Sequence, residues 1–469
     1  MAGIREEDIE LIVRRVLSNL DLKNLKAAVK KDIGVFEDMK QAISAAKKAQ
    51  KELKSMSIEF REKIIQNIRK KTLENARIMA EMGVQETGMG KVEHKVLKHE
   101  LVARKTPGTE DIITTAWSGD KGLTLVEMGP WGVIGAITPS TNPSETVICN
   151  SIGMIAAGNS VVFNPHPGAV GVSNYAVRLI NEAVVEAGGP PNLAVSVAKP
   201  TLETAEIMFK HPDINLLVAT GGPGVVTAVL STGKRAIGAG AGNPPVVVDE
   251  TADIRKAAKD IVDGATFDNN LPCIAEKEVI AVNKVADELI YYMKQNGCYM
   301  ASKEEIEELK AMVLQTRDGK YYLNRKWVGK DASTLLKGIG VDVDDKVRCI
   351  IFEATKDHPF VVEELMMPIL GIIRAENVDE AIAIAVELEH GFRHSAHMHS
   401  KNVDNLTKFA RAIDTAIFVK NAPSYAAIGF GGEGYCTFTI ASRTGEGLTS
   451  ARTFTKSRRC VLADGLSIR

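Results

Sequence analysis

An α/β fold with a parallel sheet wrapped by helices is what this sequence predicts. Short β-branched runs alternate with helix-period segments from Val133 to Val248, the alternation resumes after Cys273, and glycine-rich turns mark several of the junctions. At 469 residues the chain is too long for one simple core, so two or three domains are expected.

The elements follow in order. Ile9, Ile12, Val13, Val16, Leu17 and Leu20 repeat at helical spacing with Arg and Glu on the other face, which predicts a short amphipathic helix over 1–20. Lys23, Lys26, Lys30, Lys31 and Asp32 break that pattern, so 21–33 reads as a linker. The apolar stripe needs a partner, which is its own subunit, a neighbouring subunit or a larger assembly. Residues 36–101 are rich in Ala, Lys, Glu and Met and read as long surface helices interrupted around Gly83 and Gly88–Gly90. Residues 112–137 turn β-branched and glycine-punctuated, as expected of a ribbon leading into a buried strand. Strands are then predicted at 160–163, 216–219 and 245–248, with helices over 170–187 and 224–230. After Cys273, helices are predicted near 287–296 and 303–315 and strands near 347–352 and 370–374.

Composition excludes several classes of function. The net charge of -1, with 25% charged residues scattered throughout, gives no electrostatic footprint for nucleic acid. No apolar run is long enough to span a bilayer and no secretory signal is evident at the N-terminus, so a cytoplasmic protein without a membrane partner is expected. Cys149, Cys273, Cys298, Cys349, Cys436 and Cys460 lack the spacing of a zinc site or a disulfide scaffold, and reduced thiols are expected. His390, His394, His397 and His399 form a cluster without a cysteine close by in sequence, and no metal is expected there.

The chemistry-bearing segment is Asp268-Asn269-Asn270-Leu271-Pro272-Cys273-Ile274-Ala275, which sets one thiol after two carboxamides and a proline, just before a strand-like run. A tight Asn/Pro turn gives a nucleophilic thiol the dipoles and partial exposure it needs, although an ordinary buried cysteine fits the same string. Thr220-Gly221-Gly222-Pro223-Gly224 joins a predicted strand to a helix, where bare N–H groups can face a phosphate. Its spacing is not that of a dinucleotide fingerprint, and such turns also occur without a ligand. Gly238-Ala239-Gly240-Ala241-Gly242 is so poor in side chains that it admits either close approach by another group or a merely flexible loop. Thr138-Pro139-Ser140-Thr141-Asn142-Pro143 follows a buried strand and offers an amide and hydroxyls to a developing oxyanion, or serves only as a structural turn.

Together, from about Gly34 onward, these segments resemble the aldehyde dehydrogenase superfamily. The strings around Cys273 up to Glu278, Ile137–Pro143, Ala236–Pro245, Phe438-Thr439-Ile440-Ala441, Thr444-Gly445-Glu446-Gly447 and Thr449-Ser450-Ala451-Arg452 resemble its CoA-acylating branch, and most nearly the short-chain enzymes of bacterial microcompartments. The resemblance implies a Rossmann-like NAD/CoA domain over 34–110 and 132–239, an α/β catalytic domain over 240–423, and an oligomerisation segment over 111–131 and 424–469. It implies NAD as cofactor, CoA and a short aliphatic aldehyde as substrates, and a homodimer or homotetramer. It also implies localisation inside a microcompartment, with residues 1–20 binding shell proteins.

By the same resemblance Cys273 is the nucleophile, and Asn142 first, with Thr141 second, is the oxyanion donor. Glu364 holds the nicotinamide ribose with Met366 beside it, and Thr220, Gly221 and Gly222 form the pyrophosphate loop. Thr138, Pro139, Asn164, His166, Ala239 and Gly240 complete the cofactor surface. Ala239 stands where hydrolytic members carry a glutamate that activates water. Loss of that base implies deacylation by a thiol and a reversible, energy-conserving cycle. A hydrolytic enzyme releasing free acid and a non-catalytic scaffold are the alternatives.

Overall fold

The computed structural model describes residues 33–468. The helix expected at 1–20 and most of the linker lie outside these residues. Two parallel sheets and one antiparallel ribbon organise the chain. The first sheet has six strands in the order Val35–Phe36, Ala194–Val197, Ser160–Pro165, Val133–Thr138, Ile214–Thr220 and Ala236–Ala239, all paired in parallel. The chain moves from Val133–Thr138 outward to one side and then returns to build the other. Such a reversal opens a crevice beyond the carboxyl ends of the central strands.

The second sheet runs Cys298–Met300, Cys349–Glu353, Ile369–Ala375, Glu278–Val282, Pro245–Val248, Ser395–His399 and Ile417–Lys420, again all parallel. The central strands of both sheets are buried on both faces, which explains why they read as continuous Val/Ile/Ala runs rather than as alternating patterns. Thr115–Gly119, Gly122–Pro130 and Thr455–Ala463 form the ribbon, whose last strand is almost wholly exposed.

The helices have identifiable starts and stops. Asp38 and Ser57 cap Met39–Lys54 and Ile58–Thr87 through their side chains, and left-handed Gly88 ends the latter. Thr201 and Ser302 make reciprocal capping boxes at Leu202–Lys210 and Lys303–Val313. Two expectations fail in the 36–101 region. Gly83 lies inside the 30-residue helix Ile58–Thr87 rather than at a break, since its backbone is ordinary helix and a single interior glycine is tolerated there; the additional break falls instead at Ser55–Ser57. Nor are these purely surface helices. Val92–Lys105 buries Lys95, Lys98 and His99, and the following helix, Pro143–Ala156, is buried along its entire length.

Candidate active site

Every expected site residue lies at or just beyond a strand end of the first sheet or shortly before a strand of the second. Thr138 ends a strand of the first sheet and leads into Pro139, Thr141 and Asn142; Asn164 and His166 lie at the end of the next strand; Thr220 to Gly222 and Ala239 to Gly240 close the last two. Thr138 is in register with Pro165, and Thr220 with Ala239. The second sheet contributes segments that enter its strands: Gly242 before Pro245, Cys273 before Glu278, Glu364 and Met366 before Ile369, and His394 before Ser395. Lys95 and Lys98 join the turn after Thr138 to the turn before Cys273, through the Thr141 carbonyl, Asn142 Oδ1 and Asp268 Oδ2, so segments far apart in sequence are held together there.

The turn carrying the thiol is held from outside. Asp268, Asn269 and Asn270 are consecutive left-handed residues, with φ of 48°, 55° and 67°. Non-glycine residues adopt this region at a cost of about 1–3 kcal/mol each, so three in a row require strong support. Asp268 Oδ1 accepts the Lys91 amide proton at 2.8 Å, and its Oδ2 accepts from Lys95 Nζ at 2.9 Å and Lys98 Nζ at 2.6 Å. Asn269 donates to the Gly329 carbonyl and to Asp331, each at 2.9 Å, while Asn270 donates to the carbonyls of Ala265 and Glu276. Left-handed Gly90 must be a glycine, since a Cβ there would sit 2.2 Å from Asp268 Oδ1.

Cys273 is half-buried and unpaired by any disulfide. Burial pushes its thiol up to about 12, the nearby Glu364 carboxylate adds to the rise, and Lys277 opposes it. The resting group is thus the thiol, whereas the sequence turn suggested dipoles that favour thiolate. Glu364 is itself raised by burial against the pull of Lys277, whose Nζ lies 3.9 Å from it. Lys277 also donates to the carbonyl oxygen of Asn270 at 3.1 Å, tying the turn to Glu364. His397 Nε2 donates to the Ile274 carbonyl at 2.9 Å, and burial drops that imidazole to about 4, so it is a neutral brace for the residue after the thiol. Among the described residues no group of His, Cys, Asp or Glu has the arrangement of a metal site.

The edge expected to hold a dinucleotide is open. A Cβ at Gly221, Gly222, Gly224 or Gly240 would meet nothing within 4 Å, and Gly222 caps the helix Pro223–Leu230 without a side-chain acceptor on its first amides. Bare amides at a helix start, with room in front, suit a pyrophosphate. The Thr220 hydroxyl is already paired with Thr439 at 2.8 Å, leaving its backbone nearest the loop. Asn164 Oδ1 accepts from Thr204 at 2.6 Å, and His166 caps Gly168 through Nδ1. Ala239 is buried and carries only a methyl group.

The aldehyde dehydrogenase family profile matches residues 32–451. The chain belongs to the aldehyde dehydrogenase family. It is 50% identical over 468 residues to the acetylating acetaldehyde dehydrogenase EutE of Salmonella typhimurium, covering 99% of this chain and 100% of that one. A propionaldehyde dehydrogenase from the Clostridium phytofermentans fucose utilisation bacterial microcompartment superposes with a TM-score of 0.92 at 68% identity, covering 93% of this chain and 100% of that one. A Rhodopseudomonas palustris propionaldehyde dehydrogenase, solved with bound CoA and an acylated cysteine, gives 0.91 at 56% identity over 93% of this chain and 99% of that one.

Several polar residues of this family member escaped the sequence reading. Lys95, Lys98, His99 and Glu145 are buried together: Lys98 meets Glu145 at 2.9 Å, and His99 bonds Ser144 at 2.8 Å. Burial would raise the Glu145 carboxyl, but Lys98, His99 and Lys95 overcome this and hold it down to about 2. In sequence these residues look like the ordinary polar decoration of helices. Glu276 and Glu278 stand in the sequence simply as part of the string after Cys273, yet both are wholly buried, and burial pushes Glu276 up to about 8. Two such carboxyls flanking a lysine just after a cysteine were the available signal.

Proposed function

We propose that this chain oxidises a short aliphatic aldehyde, propionaldehyde first and acetaldehyde second, to its acyl-CoA. The balanced reaction converts aldehyde, NAD⁺ and CoA thiol into acyl-CoA, NADH and a proton, and it is reversible. Cys273 gives up its thiol proton, the proton released in the overall reaction, and Sγ bonds to the aldehyde carbon while the carbonyl π pair moves onto oxygen, where the Thr141–Asn142 turn supplies the donor. When bound, the dinucleotide supplies the acceptor for the hydride. Gly221, Gly222 and Gly240 leave it room, and Glu364 and Met366 border its nicotinamide end, with Thr138, Pro139, Asn164 and His166 on the adenosine side. The resulting acyl-cysteine is cleaved when the CoA sulfur bonds to the acyl carbon and the Cys273 sulfur leaves, the proton given up by the CoA thiol restoring the Cys273 thiol.

The observation that carries this reading is Ala239. At the end of the strand Ala236–Ala239, beside the open Gly240, a methyl stands where a hydrolytic enzyme needs a proton acceptor. Water is then a poor deacylating agent, and a thiol, already a few per cent ionised at neutral pH, is a good one. The bound CoA and acylated cysteine of the Rhodopseudomonas relative support the same chemistry. Omitting CoA is the test: NADH formation should stop after about one equivalent per site and resume on adding CoA. Sustained turnover without CoA would point to the hydrolytic alternative.

We further read 34–110 with 132–239 as the NAD/CoA domain, 240–423 as the catalytic domain, and 111–131 with 424–469 as the oligomerisation segment of a homodimer or homotetramer. The exposed Trp117, Val461 and Leu462 of the ribbon support a subunit contact there. The microcompartment origin of the Clostridium relative supports encapsulation through residues 1–20.

A further inference from the structure

We propose that Thr141 donates the hydrogen bond to the substrate oxyanion, and that buried Lys98 holds it in that role through Asn142. The inference rests on the CoA-acylating reading above. Lys98 Nζ lies 2.6 Å from Asn142 Oδ1. An ammonium has only donors, so the atom facing it must be the amide oxygen, and the NH₂ must point the other way. There Asn142 Nδ2 donates to Thr141 Oγ1 at 3.3 Å. The threonine oxygen thus accepts from within the protein, and its own proton is directed outward. Among the described residues no acceptor is paired with that hydroxyl.

Two further observations agree. Asn142 occupies the N-cap of Pro143–Ala156, a position where asparagine normally caps through its side chain, yet its side chain makes no cap bond. It is diverted to Lys98. Thr141 is half-buried, whereas Asn142 and Lys98 are enclosed, so the hydroxyl is the member of the chain that a substrate can reach. The relay is also anchored to the nucleophile turn. Lys98 and Lys95 share Asp268 Oδ2, and Lys95 donates to the Thr141 carbonyl at 3.2 Å. The donor and the thiol-bearing turn are therefore held by the same pair of ammonium groups.

Removing Lys98 would leave Glu145 without its ion-pair partner in the core and take one of two ammonium groups from Asp268, which risks unfolding, so the test acts further along the relay. The readout is the rate of the first-turnover NADH burst at saturating NAD and propionaldehyde, together with the aldehyde concentration giving half that rate. Thr141→Val should slow the burst about 10²–10³-fold, the cost of losing one oxyanion donor, with little change in half-saturation. Thr141→Ser should recover most of the rate. Asn142→Asp keeps the Lys98 contact but turns a donor into an acceptor, which draws the Thr141 proton inward. Its loss should match that of Thr141→Val and exceed that of Asn142→Ala, and the double variant Thr141→Val/Asn142→Asp should be no slower than either single variant. A full-rate Thr141→Val, or equal losses for Asn142→Asp and Asn142→Ala, would overturn the proposal while leaving the overall reaction intact. A wild-type enzyme with no burst would overturn the functional reading, and this inference with it.

Discussion

At the scale of single residues, the site is governed by charges whose ordinary behaviour burial has altered. Cys273 rests as a thiol because burial and the Glu364 carboxylate both disfavour its anion. Replacing that carboxylate with an amide of the same shape removes a like charge and enlarges the thiolate fraction, so Glu364→Gln should speed iodoacetamide alkylation of Cys273 at pH 8 by roughly tenfold. Unchanged or slower alkylation would contradict the assigned coupling. Glu276 behaves in the opposite sense to a surface acid. Its folded form is raised to about 8 by burial, opposed by the Ser424 amide that donates to it. A raised carboxyl favours the folded state below its unfolded value of about 4.5, and that contribution fades as pH rises through about 8. Wild-type stability measured in urea should therefore fall by a few kcal/mol across this range relative to Glu276→Gln. Parallel pH profiles for the two proteins would refute it.

At the scale of elements, the left-handed run Asp268–Asn270 is the unusual local structure, and Gly90 is its support. Gly90→Ala should destabilise the fold by about 1–3 kcal/mol, because its φ of 77° is costly with a side chain and the new methyl collides with Asp268. Urea midpoints for the two proteins measure this directly, and an unchanged midpoint would be the contrary result. Most elements are legible in the sequence. The strand Pro245–Val248 is predicted with its observed ends, and the helix over 170–187 differs by one residue from Val170–Glu186, since β-branched runs and turn residues mark such boundaries locally. Local pattern fails where tertiary packing decides. Nothing near Lys98 in the chain indicates that its side chain reaches Asp268, 170 residues away, and a helix-compatible Gly83 gives no sign of whether it breaks or packs a helix.

At the scale of the whole molecule, the proposed function draws on two parallel sheets whose site segments are joined through Lys95 and Lys98. Strand ends of the first sheet supply open, glycine-rich turns with room for a phosphate, and strand entries of the second supply the thiol and its charged neighbours. The individual strings can be read from sequence because their chemistry is local: a cysteine after Asn-Leu-Pro, glycines after a strand, an alanine in place of a base. Which hydroxyl or amide faces the substrate oxygen cannot, because Lys98, on a different helix, sets that choice. The central claim is that one sulfur receives the acyl group and passes it to another sulfur. Acid-quenched mass spectrometry during turnover with propionaldehyde and NAD, before CoA is added, tests this most directly. A propionyl group on Cys273 that disappears on addition of CoA as propionyl-CoA forms is the predicted result; an unmodified Cys273 in an enzyme that is producing NADH would contradict the account.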